Sequence, residues 1–200
     1  MTFLLATRNV KKLAELQRIL TSVTLVGLDD VPLYPEVPET GRTFAENASI
    51  KARAGVAATG LPTVADDSGL AVDALNGMPG VFSARWSGRH GDDQANLELV
   101  LAQLADVADS WRGAAFVCSA ALALPDGREW TVDGEMRGRL VRVPRGTGGF
   151  GYDPIFVADG ETRTNAELSP AEKDAISHRG KAFRALAELI AGLTNVDLGR

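Results

Sequence analysis

The spacing of apolar residues in the first sixty positions predicts a strand and two helices. Thr2 to Ala6 form a short apolar run, which is typical of a buried strand. A helix is predicted next, because apolar residues recur at helical spacing at Leu13, Leu16, Ile19 and Leu20. A second helix is predicted from the capping box that begins at Thr43 and includes Glu46, and it should end at Gly60.

Apolar segments in the middle of the chain predict strands. Pro62 to Ala65 has the pattern of a buried strand that ends at Asp66-Asp67-Ser68-Gly69. The apolar run Ala114–Leu124 and the segment Trp130–Val143 flank the turn sequence Pro125-Asp126-Gly127. They therefore predict the two long strands of a hairpin.

Two further helices and a loop complete the pattern. Helices are predicted from about Asp93 to Leu104 and from Arg179 to Gly192, and Gly146–Gly151 should be a loop because it contains four glycines in six residues. This order predicts an α/β fold in which a mixed parallel and antiparallel sheet is flanked by helices. No repeat or long linker divides the chain, so we expect residues 1–200 to form a single domain.

Composition narrows the classes of function. A net charge of -5 gives no chain-wide basic field, so binding to nucleic acid is not favoured. The single cysteine, Cys118, lies in an apolar run, which excludes an intrachain disulfide and favours a buried thiol in a reducing compartment. No leader is evident, and no stretch approaches the roughly 20 apolar residues of a membrane helix. We therefore expect a cytoplasmic protein without a membrane partner.

The first candidate site follows the first predicted strand, at Thr7, Arg8, Asn9, Val10, Lys11 and Lys12. Backbone N–H groups and the positive end of a helix dipole favour a phosphate at such a place, and Lys12 can reach it. An ordinary capped helix start with two solvated lysines explains the same residues, because the glycine spacing of a P-loop is missing.

The second candidate site is acidic. Asp66 and Asp67 follow a predicted buried strand, and Glu36 and Glu39 precede them in a proline-rich loop. Mg²⁺ takes one or two such carboxylates together with waters and substrate phosphates. Adjacent residues of an extended chain point to opposite faces, so Asp66 and Asp67 need not both face a metal. One of them can bind the metal while the other holds a backbone turn. An aspartate-rich turn without a metal remains the alternative.

Two more candidates lie near the carboxyl end. The loop Gly146–Pro154 is poor in side chains, and its Phe150 and Tyr152 offer flat surfaces on which a base can stack, with Asp153 as an acceptor for N–H groups. Glu172-Lys173 and Ser177–Lys181 place several hydrogen-bond donors before the last predicted helix, although a solvated basic helix start has the same composition.

In this order, the segments strongly resemble the inosine triphosphate pyrophosphatase family over nearly the whole chain. The most specific motifs are Glu39–Gly41 with Thr43–Ala48, Ala65–Leu70, Gly77–Trp86 and Gly148–Pro154. The resemblance implies an elongated, two-lobed fold with a central substrate cleft, usually a homodimer. It implies hydrolysis of ITP, dITP or XTP to the monophosphate and pyrophosphate.

The resemblance also implies roles for individual residues. Asp67 is expected to be the catalytic proton acceptor and a Mg²⁺ ligand, with Glu39 as a second metal ligand. A water held by Asp67 reconciles these two roles, because a cation lowers the basicity of a carboxylate that binds it directly. The expected substrate contacts are Thr7, Arg8, Asn9, Val10, Lys11, Lys12, Ser68, Phe150, Gly151, Tyr152, Asp153, Lys173, His178 and Arg179.

The chain departs from the family at Arg8 and Lys11, where such proteins often have glycine, while Lys12 stays in register.

Two other functions use similar residues: a pyrophosphatase for other modified nucleotides, and a nucleotide-binding regulator without catalysis. The acidic cluster argues against the regulator, because a pure binder gains little from carboxylates beside phosphates.

Overall fold

The computed structural model describes residues 2–7, 9, 16 and 24–194. Its centre is a six-stranded sheet with the strand order β2-β1-β3-β4-β5-β6. The strands are β1 (Thr2–Leu5), β2 (Thr24–Val26), β3 (Thr63–Val72), β4 (Gly113–Ala123), β5 (Glu129–Leu140) and β6 (Phe156–Ala158).

The sheet is mixed, as the order of elements predicts. β1 pairs in parallel with β2, where Thr2 is opposite Thr24, and with β3, where Leu5 is opposite Val64. β5 and β6 are antiparallel, with Gly138 opposite Ala158. The predicted hairpin is also present, because a tight turn at Gly127 joins the neighbouring strands β4 and β5.

The described residues contain four regular α-helices: α1 (Phe44–Thr59), α2 (Asp93–Gln103), α3 (Pro170–Ile176) and α4 (His178–Thr194). The predicted start and end of α1 are confirmed. Thr43 Oγ1 accepts a hydrogen bond from the Glu46 N–H, and Gly60 ends the helix in the left-handed conformation. Of the helix predicted around Leu13 to Leu20, only Leu16 is described; it is helical and buried.

The chain divides into two compact units. The first comprises the described residues up to Asp67, the segment Cys118–Gly134 and the described residues from Arg179 onward. The second comprises Ser68–Val117 and Glu135–His178. No helix among the described residues is both long enough and apolar enough to cross a membrane.

The first unit has an apolar core on each face of its strands. Val64 of β3 and Cys118 of β4 pack in one cluster with Phe183 of α4, whereas Ala65 packs in another with Ala52 of α1. Consecutive residues of β3 therefore face α4 and α1 in turn. Cys118 is buried, as predicted.

The predicted end of β3 was wrong. The strand continues from Thr63 through both aspartates and Gly69 to Val72, so Asp66 and Asp67 lie within the strand and not after it. An aspartate pair usually marks a turn, but here each buried carboxylate has cationic or amide partners from packed helices. Those partners offset the desolvation that keeps isolated charges out of strands.

Candidate active site

An acidic cluster with a lysine at its centre forms between the loop before α1, α1 itself and β3. Lys51 Nζ lies 2.6 Å from Glu39 Oε1 and 3.1 Å from Asp67 Oδ1, and it donates a 3.0 Å hydrogen bond to the carbonyl oxygen of Asp66. The structure thus brings together Glu39 and Asp67, the two residues expected to bind metal.

Small residues on α1 allow this close approach. The buried face of the helix includes Ala48, Ala52 and Gly55. A Cβ at Gly55 would lie 2.5 Å from Thr63 Cγ2, so α1 touches the sheet there. Asn47 and Lys51, one turn apart on this helix, consequently reach β3 with their side chains.

The electrostatics favour a charged lysine in this cluster. Burial by itself lowers the pKa of Lys51, but the carboxylates of Asp67, Asp66 and Glu39 outweigh burial and hold the pKa above its usual value. Lys51 is therefore an ammonium ion at neutral pH. It balances part of the negative charge that would otherwise be uncompensated beside Asp67.

Asp66 has different partners from Asp67. Its carboxylate lies 3.8 Å from Arg179 Nε, at the start of α4, and 4.0 Å from the Sγ of Cys118. Asp66 and Arg179 are both almost completely buried. The alternation of side chains along β3 thus directs Asp66 toward α4 and Asp67 toward α1. The sequence had left open whether both aspartates face the same side.

The cluster fits a hard divalent cation that is shared with a ligand. Glu39 and Asp67 supply carboxylate oxygens that already converge on one cation, the Lys51 ammonium. The described residues contain no group of three or more histidines, cysteines and acids that would enclose a metal by itself. Magnesium commonly needs only one or two carboxylates, because substrate phosphates and waters complete its shell.

The phosphate-side segment is described only in part. Directly after β1, the Ala6 N–H bonds to the carbonyl oxygen of Val64, two residues before Asp66 in β3. The Asn9 N–H then bonds to Thr7 Oγ1 at 3.3 Å, which is a local turn. Arg8, Val10, Lys11 and Lys12 lie outside the described residues. Ser68 follows Asp67 in β3 and is half-buried.

A second polar cluster lies in the other compact unit, around Asp153. Its Oδ2 accepts hydrogen bonds from Lys173 Nζ at 2.7 Å and from the Phe150 N–H at 2.8 Å, and its Oδ1 accepts one from Asn165 Nδ2 at 3.2 Å. Gly149 allows this arrangement, because its φ is +69° and a Cβ there would collide with the Asp153 carboxylate. Asp153 thus organises the glycine-rich loop.

The two aromatic residues of this loop differ in environment. The Phe150 ring is half-buried, and Lys173 Nζ lies 5.1 Å from its centroid. Tyr152 is a core residue whose hydroxyl donates a 2.8 Å hydrogen bond to the carbonyl oxygen of Ser83. The expectation of two open stacking surfaces was therefore wrong for Tyr152. The Gly151 N–H bonds to Asp93 Oδ2 at 3.0 Å, which ties the loop to the start of α2.

The hydrogen-bond donors around the start of the last helix are buried and are therefore not a solvated helix start. Lys173, His178 and Arg179 are each no more than 5% exposed. The His178 ring stacks on Phe116, with 4.9 Å between centroids and 13° between planes. Burying three basic side chains costs free energy unless polar or charged partners compensate them, which favours a functional interpretation of this segment.

Sequence reasoning missed three residues that hold these clusters together: Lys51, Asn47 and Asn165. Asn47 and Lys51 are polar residues spaced i, i+4 on a helix whose buried face is otherwise alanine and glycine, and that spacing was a usable indication. Asn165 gave no comparable indication, since its partner Asp153 lies twelve residues away in a loop.

The mixed sheet, the carboxylates around Lys51 and the glycine-rich loop define an α/β protein whose acidic cluster suits a divalent cation shared with a phosphate ligand. Residues 3–189 match the Ham1 family. The match covers most of the chain, and this protein belongs to the Ham1 family. The resemblance and the α/β mixed-sheet prediction are thereby confirmed.

Similar proteins agree with this assignment. The chain is 63% identical to a dITP/XTP pyrophosphatase of Streptomyces coelicolor, over 95% of this chain and 97% of that protein. This chain also matches a crystal structure of the nucleoside-triphosphatase or dITP/XTP pyrophosphatase of Mycobacterium abscessus, to which it is 64% identical. The match covers 93% of this chain and 98% of that one, with a TM-score of 0.79. The structure of a HAM1 protein of Coxiella burnetii is 43% identical in sequence. The match covers 96% of this chain and 99% of that protein, with a TM-score of 0.87.

Proposed function

We propose that this protein hydrolyses non-standard purine nucleoside triphosphates, namely dITP, ITP and XTP, to the monophosphate and pyrophosphate. The observation that carries the proposal is the buried Asp67 carboxylate, held by Lys51 and Asn47 beside Glu39. Relatives that share about 60% of the sequence are named dITP/XTP pyrophosphatases. In this chain, the reaction removes such nucleotides from the pool.

The proposed mechanism assigns separate tasks to the residues of the acidic cluster. Asp67 orients a water molecule and accepts its proton as the water attacks phosphorus. The Lys51 ammonium neutralises charge on the phosphate oxygens. Thr7, Asn9 and Ser68, together with Arg8, Val10, Lys11 and Lys12, form the phosphate-binding segment.

The proposed cofactor is Mg²⁺, held by Glu39 and Asp67 together with substrate phosphates. When bound, it supplies positive charge that offsets the charge developing on the phosphate oxygens and the leaving pyrophosphate. Carboxylate oxygens are the ligands that this ion prefers. Asp66 is not part of the proposed ligand set, because its carboxylate is directed toward Arg179.

The proposed base pocket comprises Phe150, Gly151, Tyr152, Asp153, Lys173, His178 and Arg179. Phe150 supplies the stacking surface, and Lys173, His178 and Arg179 supply donors for the keto oxygen of the base. The role assigned to Tyr152 is limited to its backbone and to its support of the loop, because its ring is in the core.

Four properties of the whole protein belong to the same proposal. We infer a single pyrophosphatase domain over residues 1–200, a homodimer and a cytoplasmic location, with no nucleic acid as partner. The acidic net charge of -5 supports the absence of a nucleic-acid partner. A single, buried cysteine agrees with a reducing compartment.

The proposal is tested by measuring pyrophosphate release from a panel of triphosphates in the presence of Mg²⁺. The panel contains dITP, ITP, XTP, the four standard nucleotides and modified pyrimidine triphosphates. Preference for dITP and XTP supports the proposal. Preference for modified pyrimidines would assign a different nucleotide class, and binding without release would indicate a regulator.

Asp67→Asn provides the matched inactive variant. It retains the shape of the side chain and the contact with Asn47, while the proton acceptor is lost. Turnover should fall by about two orders of magnitude or more in a variant that still folds, with a lower melting temperature because the ion pair with Lys51 is lost. Normal turnover of this variant would exclude Asp67 as the proton acceptor.

A further inference from the structure

Asn47 contacts both parts of the acidic cluster through one side-chain amide. It is fully buried in the first turns of α1. Its Oδ1 accepts a 2.8 Å hydrogen bond from the Gly41 N–H, and its Nδ2 donates one of 3.0 Å to Asp67 Oδ2. A single planar group thus joins the loop that carries Glu39 to the strand that carries Asp67.

We propose that Asn47 is a positioning residue that sets the relative placement of the Glu39 and Asp67 carboxylates for a divalent cation. The inference rests on the proposed function, because it concerns the cation used in that reaction. Asn47 acts through its two partners and contacts no reacting atom.

The loop lies directly against this amide. A Cβ at Gly41 would lie 2.6 Å from Asn47 Oδ1 and 2.7 Å from Glu46 Cβ, both closer than side chains tolerate. Gly41 is two residues after Glu39, so a shift of Gly41 moves the backbone that carries the Glu39 carboxylate. The position of Glu39 therefore depends on the contact between Gly41 and Asn47.

The amide has one favourable orientation. A flipped side chain would place its carbonyl oxygen against the Asp67 carboxylate and its NH₂ group against the Gly41 N–H, which are two repulsive contacts. The observed orientation also leads Asp67 Oδ1 toward Lys51. Asp67 is thus held from two sides, by a neutral amide and by an ammonium ion.

The neutral contact matters when a metal ion binds. An added cation competes with the Lys51 ammonium for the same two carboxylates, since like charges repel at short range. The Asn47 amide carries no net charge, so it can retain Asp67 and Gly41 while Lys51 moves toward the phosphates. Groups behind metal ligands commonly change metal affinity by about 10- to 100-fold when they are removed.

Asn96 provides a matched control within the same chain. Like Asn47, it is the fourth residue of its helix and is buried, and its Oδ1 accepts a hydrogen bond of 2.7 Å from a backbone N–H, that of Ser87. The same Oδ1 also accepts a 2.8 Å hydrogen bond from the Ser87 hydroxyl, and neither of these two groups is a carboxylate. Asn96→Ala therefore reports the general cost of losing a buried helical amide.

The test compares Asn47→Ala, Gly41→Ala, their double variant and Asn96→Ala. The free Mg²⁺ concentration for half-maximal pyrophosphate release should rise about tenfold or more in Asn47→Ala and Gly41→Ala and stay within about twofold of wild type in Asn96→Ala. The double variant should be no worse than the more severe single variant, since both break one connection. In the metal-free protein, the Gly41 amide should exchange its hydrogen faster in Asn47→Ala.

Several outcomes would overturn the inference. One is an equal Mg²⁺ requirement in Asn47→Ala and Asn96→Ala; another is that the effects of Asn47→Ala and Gly41→Ala multiply in the double variant. Faster exchange at Gly41 with an unchanged Mg²⁺ requirement would also reject it. If Asn47→Ala does not fold, the Mg²⁺ requirement of Gly41→Ala tests the same contact, because Gly41 is its partner in the loop. A wild-type protein without Mg²⁺-dependent pyrophosphate release refutes the proposed function, and the inference falls with it.

Discussion

Two adjacent aspartates of one strand have separate partners in this protein. Asp67 is directed toward Lys51 and Asn47 of α1, and Asp66 toward Arg179 of α4. This separation reduces the repulsion that two neighbouring buried carboxylates would otherwise experience. It also connects Asp66 with a residue that we place in the base pocket.

The first prediction at this scale concerns base selection. A donor such as the Arg179 guanidinium matches the keto oxygen of hypoxanthine or xanthine, whereas the amino group of adenine brings donor against donor. Arg179→Ala should therefore lower kcat/KM for ITP by about tenfold or more and affect the residual ATP activity much less. Steady-state kinetics with both nucleotides measure the ratio. Asp66→Asn should shift that ratio in the same direction by a smaller factor.

Arg137→Ala is the control for this prediction, because Arg137 is an exposed arginine paired with Asp73. The Arg137→Ala variant should hydrolyse ITP and ATP at unchanged rates. A parallel loss of ITP and ATP hydrolysis in Arg179→Ala would identify a general phosphate or folding contact, and selectivity would then depend on Phe150 to Asp153.

At the scale of elements, the placement of α1 depends on small side chains at its contact with the sheet. A Cβ at Gly55 would meet Thr63 Cγ2 at 2.5 Å and Leu4 Cδ2 at 3.1 Å. Interiors packed this closely accommodate added atoms only by moving backbone or side chains. Since Lys51 and Asn47 lie on the same helix, such a movement also displaces the acidic cluster.

Gly55→Ala should accordingly lower the free energy of unfolding by about 1–3 kcal/mol, although alanine favours helices. Gly192→Ala is the matched control, because Gly192 is also helical and a Cβ there meets no atom within 4 Å. That variant should be neutral or more stable, by up to about 1 kcal/mol. Chemical denaturation measures both. Equal stabilisation by the two substitutions would contradict the packing argument.

A second prediction for an element concerns the acid sensitivity of α3. Glu172 accepts hydrogen bonds from Ser169, including its backbone N–H, and from Arg163, and these contacts lower the pKa of Glu172 from 4.5 to about 2. A carboxyl group with a depressed pKa stabilises the fold above its unfolded pKa, and the contribution is lost as the pH falls from about 4.5 toward 2.

Glu172→Gln should therefore be less stable than wild type at neutral pH and lose less stability on acidification over this range. Hydrogen exchange of the α3 segment at several pH values measures the difference. Glu188→Gln, which removes the same charge at an exposed position of α4, is the control and should leave the stability of α3 at neutral pH unchanged. Since Lys173 is the next residue of α3, the same variant should also loosen its contact with Asp153.

At the scale of the whole molecule, each compact unit contains its own set of proposed functional residues. Glu39, Lys51, Asp67 and Arg179 belong to the first unit, whereas Phe150, Asp153, Lys173 and His178 belong to the second. Each unit has its own apolar core. The acidic cluster and the Asp153 cluster can therefore be tested by substitutions that leave the other unit's core intact.

The proposed dimer gives a prediction at the same scale. Sedimentation at micromolar concentration should give twice the chain mass of 21.1 kDa. Exposed apolar residues such as Met78 and Phe82 are available for contact with another chain. A monomer across the concentration range would remove the dimer from the proposal and leave the acidic cluster unaffected.

Local chemistry was sufficient to predict several elements from the sequence. The cap at Thr43, the stop at Gly60 and the turn at Gly127 each depend on residues within a few positions, so the boundaries of α1 and the position of the hairpin followed directly. The motifs were also specific enough to indicate the family and, through it, the grouping of Glu39 with Asp67.

Other features depended on contacts between distant parts of the chain. β3 continues through both aspartates because α1 and α4 supply their partners, and Lys51 meets Asp67 from sixteen positions away. Tyr152 is in the core because its hydroxyl finds the Ser83 carbonyl, 69 positions away. Apolar periodicity cannot predict such pairs, since a buried polar group is stable only when the folded chain brings it a partner.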